Sequence, residues 1–159
     1  MKKFELTSES IVNIFGKKLF RIKALVEFGN VKEGELGGFI EKEENLSHEG
    51  NAWVYENAWV CGDAWVYGDA KVCGDAKVYG NAEVCGDADY ATVKGFGTEF
   101  RTTTFFRCKD GVVRVSCGCF YGDLDQFRNQ VKGTRKGKIA EEYLMIADLM
   151  EKHFKEGRL

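Results

Sequence analysis

Small and branched apolar residues recur every six positions between residues 50 and 91. A typical repeat, which we call a hexad, reads Gly, Asp or Asn, Ala, a variable residue, Val, and Tyr or Cys, and seven hexads follow one another. A short fixed period is typical of repeat architectures, and a period of six indicates a parallel β-helix. We therefore expect one short strand from each hexad, with its Gly-Asp or Gly-Asn pair at a corner that needs left-handed backbone.

The hexads also predict which residues face the interior. Side chains alternate along a strand, so Ala and Val should point inward and the residues between and after them outward. Three hexads make one triangular coil, so residue i should stack on residue i+18, about 4.8 Å away. The predicted interior consists of Ala52, Ala58, Ala64, Ala70, Ala76, Ala82 and Ala88 with Val54, Val60, Val66, Val72, Val78 and Val84.

The same 18-residue register separates the cysteines of the array. Cys61, Cys73 and Cys85 fall on three different faces of the coil, so they cannot meet in one metal site within a chain. Packing of a ring against a thiol is the favoured explanation for their spacing. The stacked pairs are Tyr55 with Cys73, Cys61 with Tyr79, and Tyr67 with Cys85.

The flanking segments predict a cap on each side of the array. Residues 10–15 and 18–26 surround a Gly-Lys turn, and residues 38–49 resemble a degenerate first coil. We therefore expect a mainly β chain with an N-terminal β cap over residues 1–37 and a hexapeptide-repeat parallel β-helix of about three coils over residues 38–91.

Residues 92–159 should form the C-terminal cap and the oligomerisation region. Residues 105–108 and 112–117 flank an Asp-Gly pair, which predicts a β-hairpin. Residues 124–132, before Gly133, and residues 139–154 have the apolar spacing of helices. This hairpin with two helices is expected to cover the open end of the coil, whose strand groups would otherwise be unpaired.

Three tryptophans provide the first candidate binding surface. Trp53, Trp59 and Trp65 occupy an outward position that later holds Lys or an acidic residue. These three rings form a belt around one coil, with one ring on each face. An exposed apolar surface of this size is usually covered, here by the N-terminal hairpin, a C-terminal helix or another subunit. The alternative is a stacking platform for a base or nucleotide, which would include Tyr55 and Tyr67.

Charge and cysteine chemistry give weaker indications. Residues 1–91 hold 10 Lys/Arg against 16 Asp/Glu, and residues 92–159 hold 13 against 9, which is too modest for a dedicated nucleic-acid binder. The basic residues Arg101, Arg107 and Arg114 could bind a phosphate or an acidic partner, although a solvated β face is the simpler explanation. Cys108, Cys117 and Cys119 lack the spacing of a metal site and are expected to be small buried residues on a hairpin.

Composition limits the expected cellular location of the protein and the reactions that it could catalyse. No apolar run is long enough for a membrane span, no secretory signal is recognisable, and six cysteines suggest reduced thiols. A cytoplasmic protein without a cofactor or metal is expected. Acyl transfer would need a histidine base, but His48 lies at an apolar position of the degenerate coil and His153 near a helix end, so both are better explained structurally.

The array resembles the left-handed β-helix hexapeptide-repeat family, and residues 24–55 resemble the start of its uncharacterised bacterial and prophage members. The segment at residues 115–120 resembles one found in small phage proteins. The resemblance implies a left-handed β-helix in a phage or prophage accessory protein that acts in the bacterial cytoplasm without catalysis. Such a protein would be a homo-oligomer, with a trimer favoured. It would act against a host defence system, either by sequestering a small anionic or nucleotide ligand or by blocking a host protein. The alternatives are an acyltransferase-like enzyme and a purely structural module.

Overall fold

The structure, a computed structural model, describes residues 2–155. It is mainly β with two C-terminal helices, as the sequence predicts, and its sheets are antiparallel, parallel or mixed. The chain divides into two compact units, which we call unit 1 (Met1–Asp87) and unit 2 (Ala88–Leu159). Within residues 2–155 no helix is long and apolar enough to cross a membrane.

Unit 1 begins with an antiparallel hairpin followed by a third strand. Strand β1 (Phe4–Val12) pairs with β2 (Lys18–Ala24), and β2 pairs with β3 (Leu36–Ile40). The Asn13 side chain orders the hairpin turn, because its Oδ1 accepts hydrogen bonds from the backbone N–H groups of Phe15 and Lys17. The predicted hairpin is confirmed, although β1 starts six residues before residue 10.

Six of the hexads form two-residue strands that pair in parallel at the expected spacing. Each strand of the first three hexads pairs with the strand 18 residues later, for example Val54 with Val72. The 18-residue register is therefore confirmed. The strands are β4 (Trp53–Val54), β5 (Trp59–Val60), β6 (Trp65–Val66), β7 (Lys71–Val72), β8 (Lys77–Val78) and β9 (Glu83–Val84).

Residues 38–49 add an irregular layer before the first regular coil. Phe39 pairs in parallel with Trp59, and Leu46 bridges to Val66, so both contacts join residues 20 apart instead of 18. The Ala and Val interior is buried through these layers, as predicted, from Ala52 to Val84. Backbone with positive φ occurs at the corners, at Gly50, Glu56, Gly62, Gly68, Gly74 and Gly80.

The seventh hexad departs from the prediction. Residues Asp87–Asp89 form a 3-10 turn, Ala88 is exposed, and Asp89 is buried. The reason is visible in the sequence, since Tyr90 replaces the interior Val and cannot fit a coil lined by Ala and Val. The chain instead enters strand β10 (Tyr90–Val93) of unit 2.

Three side chains close the N-terminal end of the coil. Backbone N–H groups of residues 38–49 donate to the carbonyl oxygens of Ala58, Val60 and Val66, and side chains satisfy other carbonyl groups at this end. Lys3 Nζ donates to the carbonyl oxygens of Ala52 (2.7 Å) and Gly50 (3.3 Å), and Asn45 Nδ2 donates to those of Ala64 (2.9 Å) and Gly62 (3.1 Å).

The remaining corner of that end is closed by an arginine. Arg21 Nη1 donates to the carbonyl oxygens of Gly37 (2.6 Å) and Glu56 (3.4 Å), and its guanidinium lies over the Phe39 ring. The N-terminal hairpin is thus fastened to the coil by hydrogen bonds as well as by apolar packing.

Unit 2 contains an antiparallel sheet of four strands in the order β10–β11–β12–β13, with β11 (Thr103–Arg107), β12 (Val113–Cys117) and β13 (Phe120–Asp123). Helices α1 (Leu124–Thr134) and α2 (Gly137–Lys155) follow. The predicted hairpin is confirmed as β11 and β12. Strands β10 and β13 were not predicted, and α1 continues through Gly133 because that residue keeps helical backbone.

The helices pack on the sheet through one apolar cluster. Asp123 caps α1 by accepting a hydrogen bond from the Gln126 N–H (2.8 Å), and Arg128 joins the two helices by ion pairs with Asp125, Asp148 and Glu151. The buried residues of the cluster are Phe105, Val115, Phe127, Val131, Tyr143, Ile146, Ala147, Met150 and Phe154.

Replacement of corner glycines should show how tightly the coils stack. Gly68 has a φ of 65°, and a Cβ there would lie 2.5 Å from the carbonyl oxygen of Cys85. Gly74 has a φ of 67°, but a Cβ would meet nothing within 4 Å. We expect Gly74→Ala to cost about 1–2 kcal/mol from backbone strain alone and Gly68→Ala about 1–3 kcal/mol more, measured by urea unfolding. Equal losses would contradict the close stacking.

Lys3 should give the stability a characteristic dependence on pH. Burial lowers the pKa of Lys3 to about 8, while the unfolded chain keeps the ordinary value of 10.5. Between pH 8 and 10.5 the unfolded chain therefore binds more protons than the folded chain, so this residue makes the free energy of unfolding rise with pH. The rise should be on the order of 1–3 kcal/mol.

The comparison with Lys3→Met isolates this effect, because tyrosines and cysteines titrate in the same range in both proteins. Urea unfolding at pH 7.5, 9 and 10 should give a stability difference between the two proteins that changes with pH in the stated direction. A difference that stays constant across this range would show that the Lys3 pKa is not lowered.

Candidate functional site

Two of the three predicted tryptophans are covered within unit 1. Trp53 is fully buried, with the rings of Phe4 and Phe28 against it at centroid distances of 6.4 and 5.3 Å. Trp59 is 6% exposed and packs against Phe15. The N-terminal hairpin, one of the covers expected from the sequence, therefore lies over these two rings, and neither of them is open as a stacking platform.

The third tryptophan keeps an exposed aromatic surface. Trp65 is 39% exposed and stacks on Tyr67 with centroids 3.9 Å apart. The Tyr67 hydroxyl donates to Glu83 Oε1 (2.8 Å), and burial together with Glu83 and Cys85 raises its pKa. Since the two rings already cover each other, only their outer faces could stack on a ligand. Tyr55 lies on another face, half-buried, and burial raises its pKa as well.

The histidine considered for acyl transfer is held by structural contacts. The His48 ring stacks on Phe4 at 4.1 Å, its Nδ1 accepts from the Lys3 N–H (3.0 Å), and its Nε2 lies 3.2 Å from Glu43 Oε1. The other histidine, His153, is exposed near the end of α2 with its ring against Phe154.

Each of the three predicted arginines is paired with a carboxylate. Arg107 Nε donates to the buried Asp89 (3.1 Å), and Arg114 makes a bidentate pair with Asp110 (2.9 Å for both bonds). Arg101 lies elsewhere, paired with the exposed Glu99. The structure thus does not bring the three arginines together.

Arg101 instead lines a cavity of unit 2, which we call the Arg101–Arg135 cavity. Its volume is about 220 Å³, and it lies between the β12–β13 turn and the end of α1. Phe120, Phe127 and Val131 provide apolar walls. The polar lining consists of Arg101, Arg135, Tyr143, Gln130, Thr134, Cys117 and Cys119.

Helix α1 places Arg135 at the cavity. Arg135 is the C-cap residue, its N–H donates to the Val131 carbonyl (2.8 Å), and its guanidinium lies 5.9 Å from the centre of the Tyr143 ring. Lys132, Lys136 and Lys138 flank it in sequence, so the chain that leaves α1 is strongly basic. This charge favours an anion at the cavity.

Tyr143 forms the inner end of the cavity. It is 3% exposed and packs edge-on against Phe127. Burial raises the pKa of its hydroxyl, an effect to which Cys117 adds and which Arg135 and Arg101 oppose. The hydroxyl is therefore neutral at neutral pH and can act as a hydrogen-bond donor.

The cysteines of unit 2 differ from their expected burial. Cys108 is buried as predicted, but Cys117 is half-buried and Cys119 is exposed, because the tight turn between β12 and β13 carries them to the cavity wall. Within residues 2–155 no group of three His, Cys, Asp or Glu residues is arranged to hold a metal ion.

The sequence could have indicated part of this site. The basic segment after α1 is visible in it, and Tyr143 begins the apolar stripe of the last helix, but nothing local connects either residue to Arg101. Their proximity depends on how the helices fold back on the sheet.

A second depression of about 370 Å³ lies beside Arg107, with Asp123, Asp125 and Glu151 at its rim. It is more open than the Arg101–Arg135 cavity, and its three carboxylates disfavour an anion there. The Arg101–Arg135 cavity is therefore the better candidate site. No protein-family model and no curated protein matches the chain.

The burial of Trp53 can be tested by replacing its side chain. We expect Trp53→Ala to lower the free energy of unfolding by about 3–5 kcal/mol, because it opens a cavity beneath the hairpin. The matched variant Trp65→Ala removes an exposed ring and should cost less than about 2 kcal/mol. Urea unfolding of both variants gives the two values, and a larger loss for Trp65→Ala would contradict the burial pattern.

Proposed function

We propose that this protein is a non-catalytic binding protein that sequesters a small anionic ligand in the Arg101–Arg135 cavity. One observation carries the proposal: Arg101, Arg135 and the neutral Tyr143 line one cavity with aromatic walls. Arginine binds carboxylates and phosphates through charge-assisted hydrogen bonds, and aromatic walls favour a ligand with an apolar body.

The size of the cavity limits the ligand. A volume of about 220 Å³ corresponds to about seven water molecules of liquid volume, so roughly ten non-hydrogen atoms can enter. An aryl phosphate or an aryl carboxylate fits this limit. A whole nucleotide or acyl-coenzyme A would enter only in part, which disfavours the acyltransferase alternative.

The cavity is better suited to binding than to turnover. A general base must accept a proton near neutral pH, but the raised pKa of Tyr143 keeps its hydroxyl protonated. Its lining contains no histidine or carboxylate among the described residues. The remaining reactive groups in the lining are the thiols of Cys117 and Cys119.

The proposal places this activity in a phage or prophage accessory protein, on the strength of the resemblance of residues 24–55 and 115–120. In this view the parallel rungs of unit 1 wind as a left-handed β-helix, which their six-residue period and 18-residue register support. The coil would be a scaffold, and a homo-oligomer would present several cavities at once.

Calorimetry with three probes tests the ligand class. Phenyl phosphate combines the anion with an aromatic body, inorganic phosphate has the anion alone, and benzyl alcohol has the body without charge. We expect the tightest binding for phenyl phosphate. Arg135→Gln should weaken it about tenfold or more, since a charge-assisted hydrogen bond is lost.

Lys136→Gln is the matched control, because it removes one positive charge from the same segment without altering a cavity residue. It should change the affinity by less than the Arg135 variant does. Equal weakening by both variants would indicate general charge attraction, and no binding of any probe would overturn the proposed ligand class. A trimer that buries Trp65 and Tyr67 but binds no probe would favour the structural alternative.

A further inference from the structure

The turn between β12 and β13 brings two thiols to the Arg101–Arg135 cavity. Cys117 pairs with Phe120 across the two strands, so Gly118 and Cys119 form a two-residue turn. Gly118 has a φ of 59°, a conformation that suits glycine at this turn. Both Cys117 and Cys119 line the cavity, and both thiols are reduced in this structure.

The two thiols have different surroundings. Cys119 is exposed, whereas Cys117 is half-buried and its Sγ accepts a hydrogen bond from Thr103 Oγ1 (3.3 Å). The Tyr143 hydroxyl also contacts Cys117. One thiol is thus open to solvent and the other is half-buried in the lining of the same cavity, two residues away in the chain, which suits a reactive cysteine with a resolving partner.

Positive charge lies directly against this turn. A Cβ built on Gly118 would be 2.0 Å from Arg101 Nη1, so the guanidinium rests on the glycine. A thiol attacks as its thiolate. Arg135 adds a second guanidinium on the same cavity.

We propose that Cys117 and Cys119 are a dithiol site whose substrate is a hydroperoxide. The Cys119 thiolate attacks the terminal peroxide oxygen, the O–O bond breaks, and the alcohol or water leaves with a proton. Cys119 becomes a sulfenic acid. The Cys117 sulfur then attacks the Cys119 sulfur and displaces hydroxide, which takes the Cys117 proton and leaves as water. Two thiols and one hydroperoxide thus give one disulfide, one alcohol or water, and one further water.

The two thiols are close enough in the chain to form a disulfide. One residue separates them, so their Cα atoms lie at most about 7 Å apart even in extended chain and closer in this turn. Exposed disulfides are readily reduced, which suits a reversible response better than a structural crosslink.

Oxidation should also weaken the proposed anion binding, and this part of the inference rests on the proposed function. A disulfide withdraws Cys117 from Thr103 and Tyr143 and moves the turn on which Arg101 rests. Displacement of that guanidinium should lower the affinity for phenyl phosphate about tenfold.

Mass spectrometry of the full-length protein tests the dithiol directly. The reduced protein is treated with an equimolar amount of hydrogen peroxide, alkylated and digested. We expect the peptide that contains residues 117 and 119 to lose two hydrogens and to regain them with dithiothreitol. In Cys117→Ser the reaction should stop at a sulfenic acid on Cys119, which dimedone traps.

Cys73→Ser is the matched control, since Cys73 is an exposed thiol on the coil of unit 1. It should leave the disulfide yield unchanged. Formation of intermolecular disulfides alone, or equal oxidation of Cys73 and Cys119 without a bond between residues 117 and 119, would overturn the proposal.

Calorimetry of the reduced and oxidised proteins with phenyl phosphate gives the second measurement. If the disulfide forms and the affinity for phenyl phosphate does not change, the proposed effect of oxidation on anion binding is wrong. If the reduced protein binds no probe, the proposed function fails, while the disulfide measurement still decides whether the dithiol site exists.

Discussion

The stacking of short parallel strands at an 18-residue register is the constraint on which unit 1 depends. Each layer satisfies backbone groups of the next, but the irregular layer before the first regular coil reaches only some of that coil's carbonyl groups, those of Ala58, Val60 and Val66. The side chains of Lys3, Asn45 and Arg21 donate to further carbonyl groups at the same end. The N-terminal hairpin is therefore needed for hydrogen bonding at the end of the coil, and its apolar cover over Trp53 and Trp59 follows from the same placement.

Much of this arrangement could be predicted from the sequence, because the hexads encode it locally. The spacing of Ala and Val fixed the interior, and the register followed from three hexads per coil. The last hexad keeps the Ala of the repeat but departs from the coil, because the ring of Tyr90 cannot occupy a position shaped for Val. Strand β10 could not be predicted either, because it is stabilised by pairing with β11 and its sequence has no strand-like alternation of apolar and polar residues.

The candidate site was less predictable because it has no local signature. Arg101 was recognised as a basic residue, but it was grouped with Arg107 and Arg114, whose carboxylate partners Asp89 and Asp110 hold them elsewhere. Arg135 and Tyr143 join Arg101 only when α1 and α2 pack on the sheet. The thiols were assigned to a hairpin interior, whereas the turn that exposes Cys119 depends on β13, a strand that the sequence did not reveal.

The 18-residue register also limits how such a coil can change in length. An insertion of 18 residues would add a complete layer, and the side chains that close the first coil would keep their partners. An insertion of one hexad between Tyr67 and Cys85 would move Cys85 to the next face, so the two residues would no longer share a column. The coil can therefore lengthen only by complete layers of 18 residues, although its sequence repeat is six residues long.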